Sequence, residues 1–135
     1  MSLVELRGLL NELLAGERAG ARGVGEMCRE PVGPDLHIVL HGVAKDEARF
    51  CAMLTRHIER LGGTPNRATG SFYEKLRNLE TPAERLSLLN RGQSWIVHRL
   101  RQALPRIGDE QLRRELQEML EVHLANIERC EAFVP

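Results

Sequence analysis

The chain has 135 residues, 42% of them hydrophobic and 28% charged, with 19 basic side chains balanced by 19 acidic ones. That length suits one domain with a core of its own, and the mixture carries no signature of disorder. The even charge argues against nucleic acid or an anionic membrane surface as partners, and aromatics at only 4% favour packed helices over sheets.

The three cysteines, Cys28, Cys51 and Cys130, are odd in number, far apart and form no C-x-x-C pair. They imply a reducing cytoplasm rather than a disulfide framework. No charged-then-apolar leader opens the chain and no apolar run approaches a membrane span, so the expectation is a cytoplasmic protein.

The spacing predicts a first helix over about 2–28. Ser2 is its N-cap, and Glu5 three residues later completes a capping box. Leu3, Leu6, Leu10, Leu13, Glu17, Gly20 with Ala21, and Val24 recur on one stripe at three-to-four spacing. Pro31, Gly33 and Pro34 break the helix. A second helix over 35–61 is expected to start on Asp35 as N-cap, with Leu36, Leu40, Val43, Glu47, Phe50, Leu54, His57 with Ile58, and Leu61 facing inward. It ends at Gly62-Gly63-Thr64-Pro65, where Gly supplies a left-handed cap and Pro prevents continuation.

Residues 62–81 form the longest connection, with a short helix expected within Ser71 to Leu79. Thr81-Pro82-Ala83-Glu84 then opens a third helix over 82–107, with Thr81 as N-cap and Glu84 closing a capping box. Its stripe is Leu86, Leu89, Gln93, Ile96 with Val97, Leu100 and Leu104. Asp109 caps a fourth helix over 109–131 with Leu112, Leu116, Met119 with Leu120, His123, Ile127 and Cys130 inward. Two short turns and one long connection predict an all-α four-helix bundle with a single crossover. A 20-residue link can span a helix of roughly 40 Å, at ~1.5 Å per helical and ~3.3 Å per extended residue.

Each stripe holds one polar residue near mid-helix: Glu17, Glu47, Gln93 and His123. In antiparallel hairpins Glu17 is level with Glu47, and Gln93 with His123. An unpaired buried carboxylate is costly, so such residues are hydrogen-bonded, protonated, salted or metal-bound. One reading is therefore a buried polar network in which Arg91, Arg85 or Lys75 supplies the cation; the other is a metal site.

This layout resembles the ferritin-like carboxylate-bridged di-metal proteins. That fold places Glu on the first helix, Glu-x-x-His on the second, Glu on the third and Glu-x-x-His on the fourth. Asp46-Glu47-Ala48-Arg49-Phe50, followed by Leu61-Gly62-Gly63-Thr64-Pro65, is similar to the second helix of that family. More narrowly, DEARFCAMLTRHIERLGGTP, TGSFYEKL and RLSLLNRGQSWIV resemble a bacterial family of uncharacterised ferritin-like domains. The resemblance implies ligand positions at Glu17, Glu47 and His123. It also implies three departures: Phe50 for the second-helix His, Gln93 for the third-helix Glu, and Leu120 for the fourth-helix Glu.

Two carboxylates and one imidazole do not neutralise two divalent ions. Three functional expectations follow. The first is a non-catalytic or accessory domain with a decayed di-metal site. The second is a metal-binding oxidoreductase using Glu17, Glu47 and His123 on a single Fe, Mn or Zn ion. The third is a small-ligand binder in the bundle core. A homodimer is expected, and the resemblance adds an oxidoreductase partner.

Other residues carry weaker signals. Gly92 inside a long helix costs about 1 kcal/mol relative to Ala; it reads as a tolerated glycine on a helix flank, with the close approach of a neighbouring helix or ligand as the alternative. Trp95 lies off the stripe, placed to anchor the crossover or a dimer contact. Cys51 reads as a small core residue, and His37 with His41 as a surface pair. No phosphate loop, nucleophile elbow or triad order is present.

Overall fold

The computed structural model describes residues 1–69 and 71–135. Four long helices carry the fold: α1 (Leu3–Met27), α2 (Pro34–Arg60), α4 (Pro82–Ala103) and α5 (Glu110–Glu131). A short α3 (Phe72–Arg77) lies in the connection, and a 3-10 turn, Leu104–Arg106, follows α4. The expected helix over 82–107 therefore changes to 3-10 geometry at its end. Pro105 has no N–H for an α-helical bond, so the chain tightens there.

The ends follow local chemistry. Ser2 accepts from the Glu5 N–H while Glu5 reaches back to the Ser2 N–H, completing the box. Thr81 and Asp109 cap α4 and α5 through their side chains. At Thr81 only the forward bond, from the Glu84 N–H, is present. Asp35 does not cap α2: Gly33 does, at φ 94°, with Pro34 in the first turn. Proline's preset φ suits that first position, which moves Asp35 inside the helix. Gly62, at φ 78°, ends α2 in the left-handed region, where a side chain would clash.

Cross-helix pairs show that neighbouring helices run antiparallel. Arg49–Glu118, Arg56–Glu115 and Arg60–Asp109 step up α2 and down α5. Arg106–Glu5, Arg99–Glu12 and Arg85–Glu30 do the same between α4 and α1. α4 thus runs parallel to α2, and the connection must travel the length of the bundle before α4 begins. It is tied to α1 on the way. Asn11 donates to the Thr64 carbonyl at 3.1 Å and accepts from the Asn66 N–H at 2.8 Å. Arg18 donates to the Ala68 carbonyl at 2.9 Å, and the Tyr73 hydroxyl bonds Glu26.

Two glycines seat α3. An added Cβ at Gly92 would lie 2.9 Å from the Phe72 ring, and one at Gly23 would lie 2.4 Å from Leu76 Cδ2. Gly92 is thus not merely a tolerated glycine on a helix flank, since it admits the Phe72 ring. Trp95 is 41% exposed and lies against Gly16 of α1, where a Cβ would stand 3.3 Å from its ring.

The predicted stripes are the buried faces, except that Leu3 at the chain start is exposed and Leu6, Ala21, Leu61 and Ile127 are half-buried. The apolar core falls into two clusters. One gathers Leu10, Leu13, Phe50, Leu54, Leu100, Leu112 and Leu116; the other gathers Val24, Leu40, Val43, Leu86, Leu89 and Cys130. Burying each large aliphatic side chain contributes about 1.5–3 kcal/mol. The polar row occupies the level between the two clusters. Among the described residues, no helix is long and apolar enough to cross a membrane.

Candidate ligand site in the bundle core

The level between the clusters brings together the four polar residues expected there. Glu17 from α1, Glu47 from α2, Gln93 from α4 and His123 from α5 are each at most 3% exposed. His123 Nδ1 lies 2.9 Å from the Met119 carbonyl, which only accepts, so that nitrogen carries a proton. The bond turns Nε2 toward Glu17 Oε1, 2.6 Å away. At that distance a proton is held between the two groups. Burial alone would lower the His123 pKa, but the charge and hydrogen bond of Glu17 and the Met119 carbonyl outweigh it, and the net shift is upward.

Glu47 has no such partner. Burial, then the charges of Glu17 and Asp46, push its carboxyl well above the usual carboxylate range. Gly20 makes room for it: a Cβ there would lie 2.3 Å from Glu47 Oε2. Gln93 donates to Asn90 Oδ1 at 3.3 Å, and Asn90 donates to the Ile127 carbonyl at 3.3 Å. Three buried oxygens in the row have no hydrogen-bond partner: Glu17 Oε2, Glu47 Oε2 and Gln93 Oε1. Native structures leave few such atoms, so each calls for a physical reason.

The expected cation is not in the row. Arg91 and Lys75 are exposed on the rim, and Arg85 bonds Glu30 and the Leu79 carbonyl instead. Arg91 follows Asn90 on α4 and so points away from Gln93, because successive helical residues are turned by roughly 100°. The charge balance of Glu17 comes from His123.

The buried row is the inner end of a cavity of about 570 Å³ between α1 and α4. Its walls include Ala15, Gly16, Ala19, Leu89 and Ile96. Phe72 and Trp95 add aromatic surface, while exposed Glu12, Lys75 and Arg91 stand at the mouth. The polar end and apolar walls are the features of a small-molecule site, and the volume lies within the ordinary range of ~300–1,000 Å³.

The thiols near the row are quiet. Burial, with the nearby charges of Glu17 and Glu47, pushes Cys51 up to about 12. Burial and Glu47 push Cys130 up to about 11. Neither forms a nucleophilic thiolate near neutrality. His37 and His41 are exposed and stack with ring centroids 5.8 Å apart, away from the row.

Asn90 and Asn126 escaped the sequence reading, and His57, expected to face inward, had no partner assigned. Asn90 stands one turn before Gln93 and Asn126 one turn after His123, a spacing that marks them as inward-facing. Asn126 is buried and donates to Asp46 Oδ2 at 3.1 Å. His57, 1% exposed, bonds Glu115, and Arg60 donates to its Nδ1. No local pattern announces that pair, because Glu115 is brought in by α5.

A di-metal centre does not fit these residues. Among the described residues, no group of three or more His, Cys, Asp and Glu side chains is arranged to hold a metal ion. Phe50, one turn after Glu47, stacks obliquely on His123 with ring centroids 5.6 Å apart. Leu120, one turn before His123, is packed in the apolar core. Apolar side chains thus occupy two positions from which such a centre draws ligands.

Helix order, crossover and the row at mid-bundle define a ferritin-like four-helix bundle. A solved structure described as "ferritin like, diiron-carboxylate proteins" from Bacillus anthracis strain Ames superimposes with a TM-score of 0.87 over 100% of both chains, at 21% identity. At that identity the likeness establishes the fold. The chain belongs to the family described as Domain of unknown function (DUF6306), whose model matches residues 4–132. A comparison with curated proteins gives no match.

Proposed function

We propose that this chain is a non-catalytic ferritin-like domain whose metal centre has decayed into a proton-sharing Glu17–His123 pair, and whose working part is the pocket above that pair. The observation that carries the reading is the cavity of about 570 Å³ that ends on Glu17, Glu47, Gln93 and His123. A bundle that needed only a stable core would fill that space, since close packing adds stability. The glycines and alanines on this face of α1 keep it open.

Two measurements test the reading. Protein grown with added iron and manganese, and purified without chelator, is expected to contain far less than one metal per chain by elemental mass spectrometry. Small apolar organic compounds are expected to raise its melting temperature, and Ala15→Phe, which fills the pocket, to remove that shift. Compounds that act equally on both proteins would defeat the pocket.

A second reading keeps one Fe, Mn or Zn ion on Glu17, Glu47 and His123. It is favoured by the three unpartnered oxygens, which are donors of the kind a cation takes, and it requires Glu17, Glu47 and His123 to turn toward one another from the arrangement described above. A metal content near one per chain, lost in Glu17→Ala, would establish it in place of the first.

A further inference from the structure

We propose that the pocket selects a primary amine with an apolar body, its ammonium seated against Glu17, Glu47 and Gln93. The proposal rests on the pocket reading above and adds the chemical class of the ligand. The decisive observation is the kind of orphan left at the inner end. The three unpartnered atoms there, Glu17 Oε2, Glu47 Oε2 and Gln93 Oε1, come from three different helices, and all three accept once Glu47 gives up its proton, which an ammonium beside it promotes. A head group satisfies them only by donating.

An ammonium has three N–H donors and no acceptor, which matches three orphan oxygens. A hydroxyl has one donor and would leave two oxygens unmet, each an unfavourable buried group. A carboxylate or phosphate head would bring further acceptors and negative charge to two buried carboxyls. The ammonium also compensates the charge that no Arg or Lys supplies. A bare metal ion would meet the oxygens but leave most of a cavity of about 570 Å³ empty.

The walls specify the rest of the molecule. Ala15, Ala19, Leu89 and Ile96 are apolar, and Trp95 and Phe72 add aromatic faces, which attract cations as well as alkyl groups. At the mouth, Lys75 and Arg91 stand with Glu12, so the rim is of mixed charge and selection falls on the inner end. The occupant is an alkyl- or arylalkylamine entering head first.

Trp95 is the chain's single tryptophan and forms part of the wall, so its fluorescence reports occupancy. The experiment titrates the full chain with octylamine, octanol and octanoate near neutral pH, where the amine is protonated. The expected order is octylamine tightest, with octanol and octanoate at least ~10-fold weaker, the factor that about 1.4 kcal/mol represents. Glu47→Gln keeps the shape but cannot become the carboxylate that a seated ammonium calls for. It is expected to weaken octylamine ~10-fold or more, again about 1.4 kcal/mol, and to leave octanol unchanged. Far-UV circular dichroism confirms that the variant is folded.

The failures are distinguishable. Octanol binding as tightly as octylamine, or octylamine unaffected by Glu47→Gln, overturns the amine while the pocket stands. No response to any of the three probes, with Ala15→Phe melting as the parent does in their presence, overturns the pocket and the amine together.

Discussion

His123 Nε2 of α5 lies 2.6 Å from Glu17 Oε1 of α1, and both side chains are only 1% exposed. This contact places an imidazole and a carboxyl face to face across the bundle with one shared proton. It supplies the charge balance that a metal ion or an arginine would otherwise provide at this level.

Removing one member should therefore cost more than a packing defect. His123→Ala leaves Glu17 buried without a partner, a change expected to destabilise the fold by about 3–5 kcal/mol. The double variant Glu17→Leu/His123→Leu removes both polar groups and is expected to recover much of that loss. Urea unfolding of Glu17→Leu, His123→Leu and the double variant gives the coupling directly. Additive losses would mean that the pair does not act as a unit.

Stability should fall with rising pH, for two reasons of the same sign. The folded carboxyl of Glu47 titrates above its ordinary value of 4.5. As pH rises past 4.5, the unfolded chain releases a proton that the folded chain keeps, and stability declines until the folded value is passed. The folded pKa of His123 is raised above 6.5. Its contribution is complete below 6.5 and is lost as pH rises through the folded value. In Glu47→Gln the decline that begins near 4.5 should disappear, leaving the variant more stable than the parent at neutral pH. Melting temperatures of both proteins across the range show whether the two curves converge toward acid and separate toward neutrality.

Gly20 and Glu47 should prove coupled. In Gly20→Ala the new Cβ falls 2.3 Å from Glu47 Oε2, so the carboxyl must move. The expected net loss is about 1–3 kcal/mol, even though alanine is the better helix former. Shortening the acid in Gly20→Ala/Glu47→Ala should relieve the clash and leave the helix preference. A double variant no more stable than Gly20→Ala alone would show that the glycine serves something other than the carboxyl.

Installing the ligands of the ferritin-like pattern should create a metal centre. Phe50→His, Gln93→Glu and Leu120→Glu together return a carboxylate or imidazole to each position where the ferritin-like pattern has one. The triple variant is expected to take up about two iron ions per chain, against far less than one in the parent, measured by elemental mass spectrometry. A folded triple variant that remains metal-free would refute the assignment of these positions. The new charges are tolerated only with metal bound, so chelation should lower the variant's melting temperature and leave the parent's unchanged.

Much of this architecture is legible in the sequence, because helix periodicity and burial are both local patterns. The stripe through Leu10, Leu13 and Glu17 on α1 and that through Leu116, Met119 and His123 on α5 already name the inward faces. Pro and Gly at the turns mark where helices stop. The length of the 62–81 link implies a crossover, since a tight turn would need only a few residues. Phe50, Gln93 and Leu120 can be placed for the same reason: each occupies a known position on a predicted face.

Partnership was decided elsewhere. The helical period states that Glu17 and Glu47 point inward, but not that Glu17 would meet His123, 106 residues away, while Arg91 faced solvent and Arg85 bonded Glu30. Nor does it state that Phe72 would dock on Gly92, or that Glu115 would reach His57. Such contacts depend on the rotation and axial register of each helix against its neighbours. Those are set by the packing of the whole apolar core, a property no single segment carries. The sequence by itself determined the helices, their inward faces and the four polar residues that share one level of the core. The tertiary structure alone decided which polar groups were paired, which oxygens were left without partners, and that a cavity would open beside them.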